Sequence, residues 1–259
     1  MDALQRNFLK CLHLSASVIV VKVGSSAIIE NKMLWPTLSR EIAYLKKAGK
    51  QVAVVFSGAV AEGSIDYAGK LNRAAMSCIG HVKVIPELAS ELLTAEIETA
   101  LLLTPSNTFE EPGYAHRLKE LLESFFKNNI VPIINENDAF KGVMDGEMSC
   151  NDYLASRVAE LINANLVIYL SNVDGVFSDM ETAVARESAP IPMLSHSNAD
   201  SFSLSGCKSA TGTGGIQAKI NSCLYNLCHG CESLIINGLY PYPISHAIST
   251  GKYTAIKEE

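Results

Sequence analysis

The chain has 259 residues, of which 48% are hydrophobic and 19% charged, with a formal net charge of −6. That balance excludes a disordered chain, and the acidic excess argues against a nucleic-acid or anionic-membrane surface. No apolar run approaches the ~20 residues that span a bilayer, while the length suffices for a sizeable α/β core.

Residues 12–21 are apolar-leaning and follow Arg6 and Lys10, as in a secretory leader. Lys22 cuts the run short and no A-x-A site follows, so residues 18–23 (VIVVKV) read better as a buried strand. A helix is expected over 35–48, stopped by Gly49, then a strand over 51–56 and a helix over 60–68. Next come a helix from Pro86 to residue 96, a strand over 99–104, a helix over 114–127 and a strand over 130–135. A helix over 151–164 leads to a strand over 166–171. Residues 178–203, rich in Ser, Ala and Pro, read as a surface excursion or a short hairpin. A helix over 215–228, closed by Gly230, precedes a strand over 233–237, and the remainder from Tyr240 is expected to be little more than a tail. Continuous apolar runs of strand length suit parallel strands buried on both faces. Strand–helix alternation along the chain means an open α/β sheet with helices on both faces.

Seven cysteines, an odd number and scattered, suit reduced thiols in a cytoplasmic compartment. Cys228 and Cys231 form a C-x-x-C with Cys223 and His229 nearby. No second ligand pair stands at zinc spacing, and the motif closes a predicted helix where a redox motif would open one. Structural thiols are the better reading.

In open α/β sheets ligands collect at the carboxyl ends of the strands, and the chemistry-bearing residues gather there. A lysine inside VIVVKVG is costly to bury unless paired or functional, which singles out Lys22; Gly24 after it lets a backbone N–H approach an oxyanion. Ser57 and Gly58 open a helix, a position suited to an anion and equally to a plain N-cap. Asn135-Glu136-Asn137-Asp138, and later Ser149-Cys150-Asn151-Asp152, cluster amides and carboxylates that suit an amino-acid substrate, or a turn and an N-cap. Ser171-Asn172-Val173-Asp174-Gly175 alone is only a turn. Residues 205–219 (SGCKSATGTGGIQAK) form a glycine-rich loop whose Lys219 falls in the first turn of a helix, a poor place for a structural cation and a good one for a phosphate ligand. The loop is neither a Walker A loop nor a dinucleotide fingerprint.

Together VVKVGSS, FSGAVAEG, NNIVPIINENDA, the ND-x-L helix start, LSNVDGVF and GTGGIQAK resemble the amino acid kinase superfamily and, within it, the glutamate 5-kinases. The resemblance implies a three-layer αβα sandwich with a mainly parallel central sheet, as one domain over residues 1–259 with 1–17 an N-terminal extension and no C-terminal PUA domain. It implies ATP and Mg²⁺, and transfer of a phosphoryl group to the side-chain carboxylate of L-glutamate. Carried over by residue, Lys22 and Lys219 would neutralise the transferring phosphoryl group, Asp152 would hold those lysines, and Gly24 and Gly58 would offer N–H groups to it. Ser57, Asp138 and Asn151 would bind glutamate; Ser171, Asn172, Thr213, Gly214 and Gly215 would line the nucleotide site with Lys22 and Lys219. No protein metal ligand is assigned. Proline as a feedback inhibitor, a glutamyl phosphate reductase as a partner, and a homo-oligomer also follow from the resemblance.

The chain departs from the family pattern in four places. Cys150 stands where a carboxylate is usual, Ser171-Asn172 replaces a T-D pair, His81 stands where a glutamine is common, and the loop from Asp138 to Asn151 is about one residue longer. These departures point to weaker glutamate binding, altered feedback or a different small acid as acceptor. A non-catalytic ligand-binding protein on the same fold is the reading from a different class.

Overall fold

A computed structural model describes residues 16–140, 151–178, 189–199 and 215–258. The strands are β1 (Val18–Val23), β2 (Gln51–Phe56), β3 (Thr99–Thr104), β4 (Val131–Glu136), β5 (Leu166–Ser171), β6 (Met193–Leu194), β7 (Glu232–Asn237) and β8 (Thr254–Ile256). The helices are α1 (Ser25–Glu30), α2 (Leu34–Lys47), α3 (Ala59–Tyr67), α4 (Arg73–Thr94), α5 (Pro112–Lys127), α6 (Asn151–Leu161), α7 (Ile216–Cys228) and α8 (Pro243–Thr250). The strands form one eight-stranded sheet in the order β3-β4-β2-β1-β5-β7-β8-β6. All neighbours are parallel except β7 and β8.

The two-residue period of the strands sorts the core into two layers. Ile19, Val21 and Val23 of β1, with Val52, Val54 and Phe56 of β2, pack beneath Leu34, Leu38 and Ile42 of α2 and Val84, Leu88 and Leu92 of α4. Val20 of β1, Val55 of β2 and Val167 of β5 point the other way, towards Leu118 and Leu122 of α5, Val158 of α6 and Ile220 of α7. Each fully buried Leu or Ile contributes about 1.5–3 kcal/mol, and the β-branched Val and Ile that fill the strands favour extended backbone in their own right. The predicted αβα sandwich with a mainly parallel sheet is the observed architecture.

Three expectations need correction. The helix expected from Pro86 begins thirteen residues earlier, at Arg73, and Pro86 lies inside it. Pro86 is exposed, so the hydrogen bond its ring removes is lost on the solvent side. The segment from Tyr240 is no tail: α8 packs on α2, and β8 pairs antiparallel with β7. The described part of 178–203 is no hairpin, since β6 pairs in parallel with β8. Thr254 ties these late pieces together, accepting from Val176 N at 2.8 Å and donating to Ile191 O at 2.7 Å. The short α1 was also not foreseen; its apolar content, Ala27-Ile28-Ile29, is too brief for a helical period to show.

Candidate active site

Strand parity sets the site. Lys22 shares the face of Val20, so its side chain rises among the apolar residues beneath α6 and α7 instead of towards α2. Its register neighbours are Val55 on one side and Tyr169 on the other. An ammonium buried there needs an anion. Asp152, in the first turn of α6, supplies it: Lys22 Nζ lies 2.6 Å from Asp152 Oδ1. Lys219, in the first turn of α7, donates to the same carboxylate at 3.0 Å and 3.1 Å. All three side chains are buried, with Lys22 6%, Asp152 3% and Lys219 6% exposed.

The electrostatics are lopsided by design of the helices. Asp152 sits favourably at the positive end of α6, whereas Lys219 sits against the positive end of α7 and is held there by Asp152. Burial alone would raise the Asp152 pKa; the Lys219 and Lys22 charges override it and hold the carboxyl well below the usual carboxylate range. Two buried ammoniums converge on one carboxylate, which is an arrangement for an incoming polyanion.

Beneath Lys219 lies Tyr169, its ring centroid 5.3 Å from the ammonium. The Tyr169 hydroxyl shares a hydrogen bond with Ser156 Oγ at 2.9 Å and accepts from Asn226 Nδ2 at 3.0 Å. Ser156 also donates to Ser222 O at 3.0 Å, so a polar network fastens α6, α7 and β5 to each other directly under the charged triad. Sequence reasoning missed this network because Tyr169 reads as one more apolar strand residue.

Around the triad stand the ends of β1 and β2. The Gly24 N–H is donated to Leu170 O at 3.2 Å, so it is not the free oxyanion donor expected of it. What the glycine provides is close approach: a Cβ there would lie 2.9 Å from that same carbonyl. Gly58 adopts φ +103° as the N-cap of α3, a conformation that requires glycine, and its N–H has no acceptor among the described residues. Ser57 donates its N–H to Val23 O at 2.9 Å, and its side chain does not cap α3. Asn151, at the start of α6, has a buried Oδ1 without a donor among the described residues. Ser171 and Asn172 close β5, with Ser171 O accepting from Gly238 N at 2.7 Å. Gly215 is the N-cap of α7. Thr213, Gly214 and Cys150 lie outside the described residues.

A second polar cluster forms where α4 meets the end of β4. Asp138, 8% exposed, accepts from Ser77 Oγ at 3.3 Å and lies 3.5 Å from Arg73. Helices α3 and α4 cross so closely that a Cβ on Gly63 would lie 1.9 Å from Met76 O, and one on Gly80 1.7 Å from Ala59 O. That contact seats Ser77 and His81 against β4. Asp138 was singled out from the sequence, and His81 only as a departure from the family pattern; Ser77 was given no role. The four-residue spacing of Ser77 and His81 on a helix was the available signal.

The C-x-x-C does not join either cluster. Cys223 and Cys231 are buried, and burial pushes the Cys231 thiol up to about 12 and the Cys223 thiol further. Cys228 is exposed, 3.5 Å from His196 Nε2. Among the described residues no group of three or more His, Cys, Asp or Glu side chains could hold a metal ion, and no helix is long and apolar enough to cross a membrane.

Comparison with known proteins points the same way as the geometry. The chain is 30% identical over 260 residues to glutamate 5-kinase 2 of Rhizobium meliloti (strain 1021), with 92% of each chain covered. It is 29% identical to glutamate 5-kinase of Enterococcus faecalis (strain ATCC 700802 / V583), covering 87% of this chain and 89% of that one. The crystal structure of UMP kinase from Ureaplasma parvum superposes with a TM-score of 0.64 at 15% identity, covering 94% of this chain and 99% of that one. That likeness shows the fold alone. The model of the amino acid kinase family matches residues 17–237, from the threshold of β1 to the end of β7. With Lys22, Asp152 and Lys219 all inside that span, the chain belongs to the amino acid kinase family.

Proposed function

We propose that the chain transfers the γ-phosphoryl group of ATP to the side-chain carboxylate of L-glutamate, giving L-glutamyl 5-phosphate. The observation that carries this reading is the buried Lys22–Asp152–Lys219 triad, in which one carboxylate fixes two ammoniums at 2.6 and 3.0 Å. A carboxylate acceptor is already a nucleophile, so no general base is needed and catalysis is positioning plus charge stabilisation. In this reading Lys22 and Lys219 offset the charge that spreads over the phosphoryl oxygens in the transition state. Asp152 holds both ammoniums in place, and is not itself a base. Gly58 offers its N–H to the phosphoryl oxygens.

The acceptor lies on the side of Ser57, Asp138 and Asn151 in this reading. The open Asn151 Oδ1 and the Asp138 carboxylate suit the α-ammonium of an amino acid. Ser171, Asn172 and Gly215, with Thr213 and Gly214, belong to the nucleotide side. The described residues do not fit a protein-held magnesium site, because the central carboxylate is already engaged by two lysines. An ion accompanying ATP would be bound through phosphate oxygens and water.

The test is ADP release by the purified protein with ATP and Mg²⁺, with and without L-glutamate, trapping the product with hydroxylamine. Glutamate-dependent ADP release with a γ-glutamyl hydroxamate is the expected result. ATP binding with no glutamate-dependent turnover would overturn the assignment and favour another small acid or a regulatory protein.

A further inference from the structure

The cluster at the head of β4 is a directional chain of hydrogen bonds. Asn135 Oδ1 accepts from Glu136 N at 2.8 Å, which fixes the amide so that its Nδ2 faces His81 Nε2 at 2.9 Å. An NH₂ group can only donate, so Nε2 must be the unprotonated nitrogen and Nδ1 must carry the proton. Nδ1 stands 3.3 Å from Ser77 Oγ, and that hydroxyl in turn donates to Asp138 Oδ2 at 3.3 Å. The carboxylate accepts only, so the direction Asn135 → His81 → Ser77 → Asp138 is the one arrangement in which every contact has a donor and an acceptor. All four side chains are buried, at 1%, 9%, 1% and 8% exposed respectively. The Phe56 ring meets the imidazole edge-on, with centroids 5.8 Å apart.

We infer that His81 is a positioning residue of the acceptor pocket: as a neutral imidazole with its proton on Nδ1, it aims Ser77 at Asp138 and holds the Asn135 amide, setting the affinity for the acceptor. This rests on the proposal that Asp138 faces the acceptor. An imidazolium would turn an N–H towards the Asn135 NH₂ and break the chain at its first link. Burial lowers the His81 pKa, against the Ser77 carbonyl and the Asp138 charge, which favour the proton. The charged groups facing this stretch of α4 are Asp138 from the turn after β4 and Arg73 from α4 itself, while Glu136 shares the face of Ile134 on the other side of the sheet. Glu62 of α3 is engaged by Lys83 at 3.9 Å, Arg40 of α2 lies towards Glu91 near the far end of α4, and β3 carries no ionisable residue.

Two experiments test this. Kinetics with glutamate varied at saturating ATP should show His81→Leu and Ser77→Ala raising the glutamate KM on the order of tenfold, as loss of a hydrogen bond to a charged group does. The ATP KM and kcat should stay within about threefold. The wild type should show an acid limb in the pH profile of kcat/KM; His81→Gln, whose amide both accepts and donates without titrating, should restore the KM and lack that limb. Equal loss in kcat for both variants, an unchanged KM, or an acid limb surviving in His81→Gln would overturn the inference. Nitrogen-15 spectra of histidine-labelled protein, assigned by the signal missing from His81→Gln, read the tautomer without any substrate. The neutral Nδ1–H form at pH 7 is expected, and the Nε2–H form or an imidazolium there would sink the proposal. Absence of glutamate turnover in the wild type would instead break the substrate reading and leave the tautomer result standing.

Discussion

Two carboxylates are buried on opposite faces of the sheet, and their fates differ. Asp152, under α6 and α7, is 3% exposed; Glu41, between α2 and α8, is 0% exposed. Asp152 meets two ammoniums. Glu41 meets no counter-charge among the described residues: it accepts from Ser245 N at 2.7 Å and Ile244 N at 3.3 Å, at the start of α8, with the Ser245 hydroxyl as a further donor. Burial pushes the Glu41 carboxyl up to about 7 despite those bonds, while the lysines hold Asp152 down despite equal burial. Peptide N–H groups and a helix dipole soften the cost of a buried anion but do not cancel it; full counter-charges do. A site that must stay charged needs lysines, whereas a helix dock tolerates a carboxyl that gains and loses its proton.

The largest expected effect breaks the charged side. Asp152→Asn removes the carboxylate that both buried ammoniums share and should cost about 3–5 kcal/mol of stability, read by urea unfolding, with turnover lost. Lys219→Ala should lower kcat by two to three orders of magnitude, about 3–4 kcal/mol of barrier, while glutamate still binds by calorimetry. An unchanged kcat would remove Lys219 from the chemistry.

Glu41 sharpens the contrast through pH. Its folded pKa lies above its ordinary 4.5, so its contribution is fully present below pH 4.5 and is lost as pH rises through about 7. That window is worth roughly 3 kcal/mol. Glu41→Gln should flatten the fall in stability between those values, measured by denaturant midpoints across the range. Asp152, with a lowered pKa, has the opposite sign: its contribution is present above pH 3.8 and is lost as pH falls below it. Smallest is Tyr169→Phe, which removes the hydroxyl that Asn226 and Ser156 share and should cost about 1–2 kcal/mol by urea unfolding, with kcat within a few-fold.

The sequence exposes the charged side better than the neutral one. A lysine inside an apolar strand and another in the first turn of a helix violate burial and dipole rules, so Lys22, Lys219 and the carboxylate between them stand out. Most of the long strands are legible because runs buried on both faces leave an unbroken apolar record; β3, at the sheet edge with Leu101 and Leu103 exposed, shows an apolar run without that burial. The first half of α4 was not legible, because Pro86 looks like a helix start, although what precedes it is capped by Asn72, which accepts from Ala75 N at 2.8 Å, and packs on α3 through Gly63 and Gly80. His81 and Asn135 lie 54 residues apart, and no local pattern announces that they meet. The last elements were missed for a related reason: α8 and β8 are too short to declare themselves and are held by Glu41 and Thr254.

The position of β8 has a consequence for how the protein is made. β6 lies at the end of the sheet with β8 as its neighbour, yet β8 is the last in sequence of the described strands. While the polypeptide is still emerging from a ribosome, β6 has no strand to pair with, and the helix that Glu41 awaits has not been made. The sheet can therefore grow outward from β1 during synthesis but is closed along that side only by the final residues of β8, which makes completion of this flank an event after translation has passed Ile256.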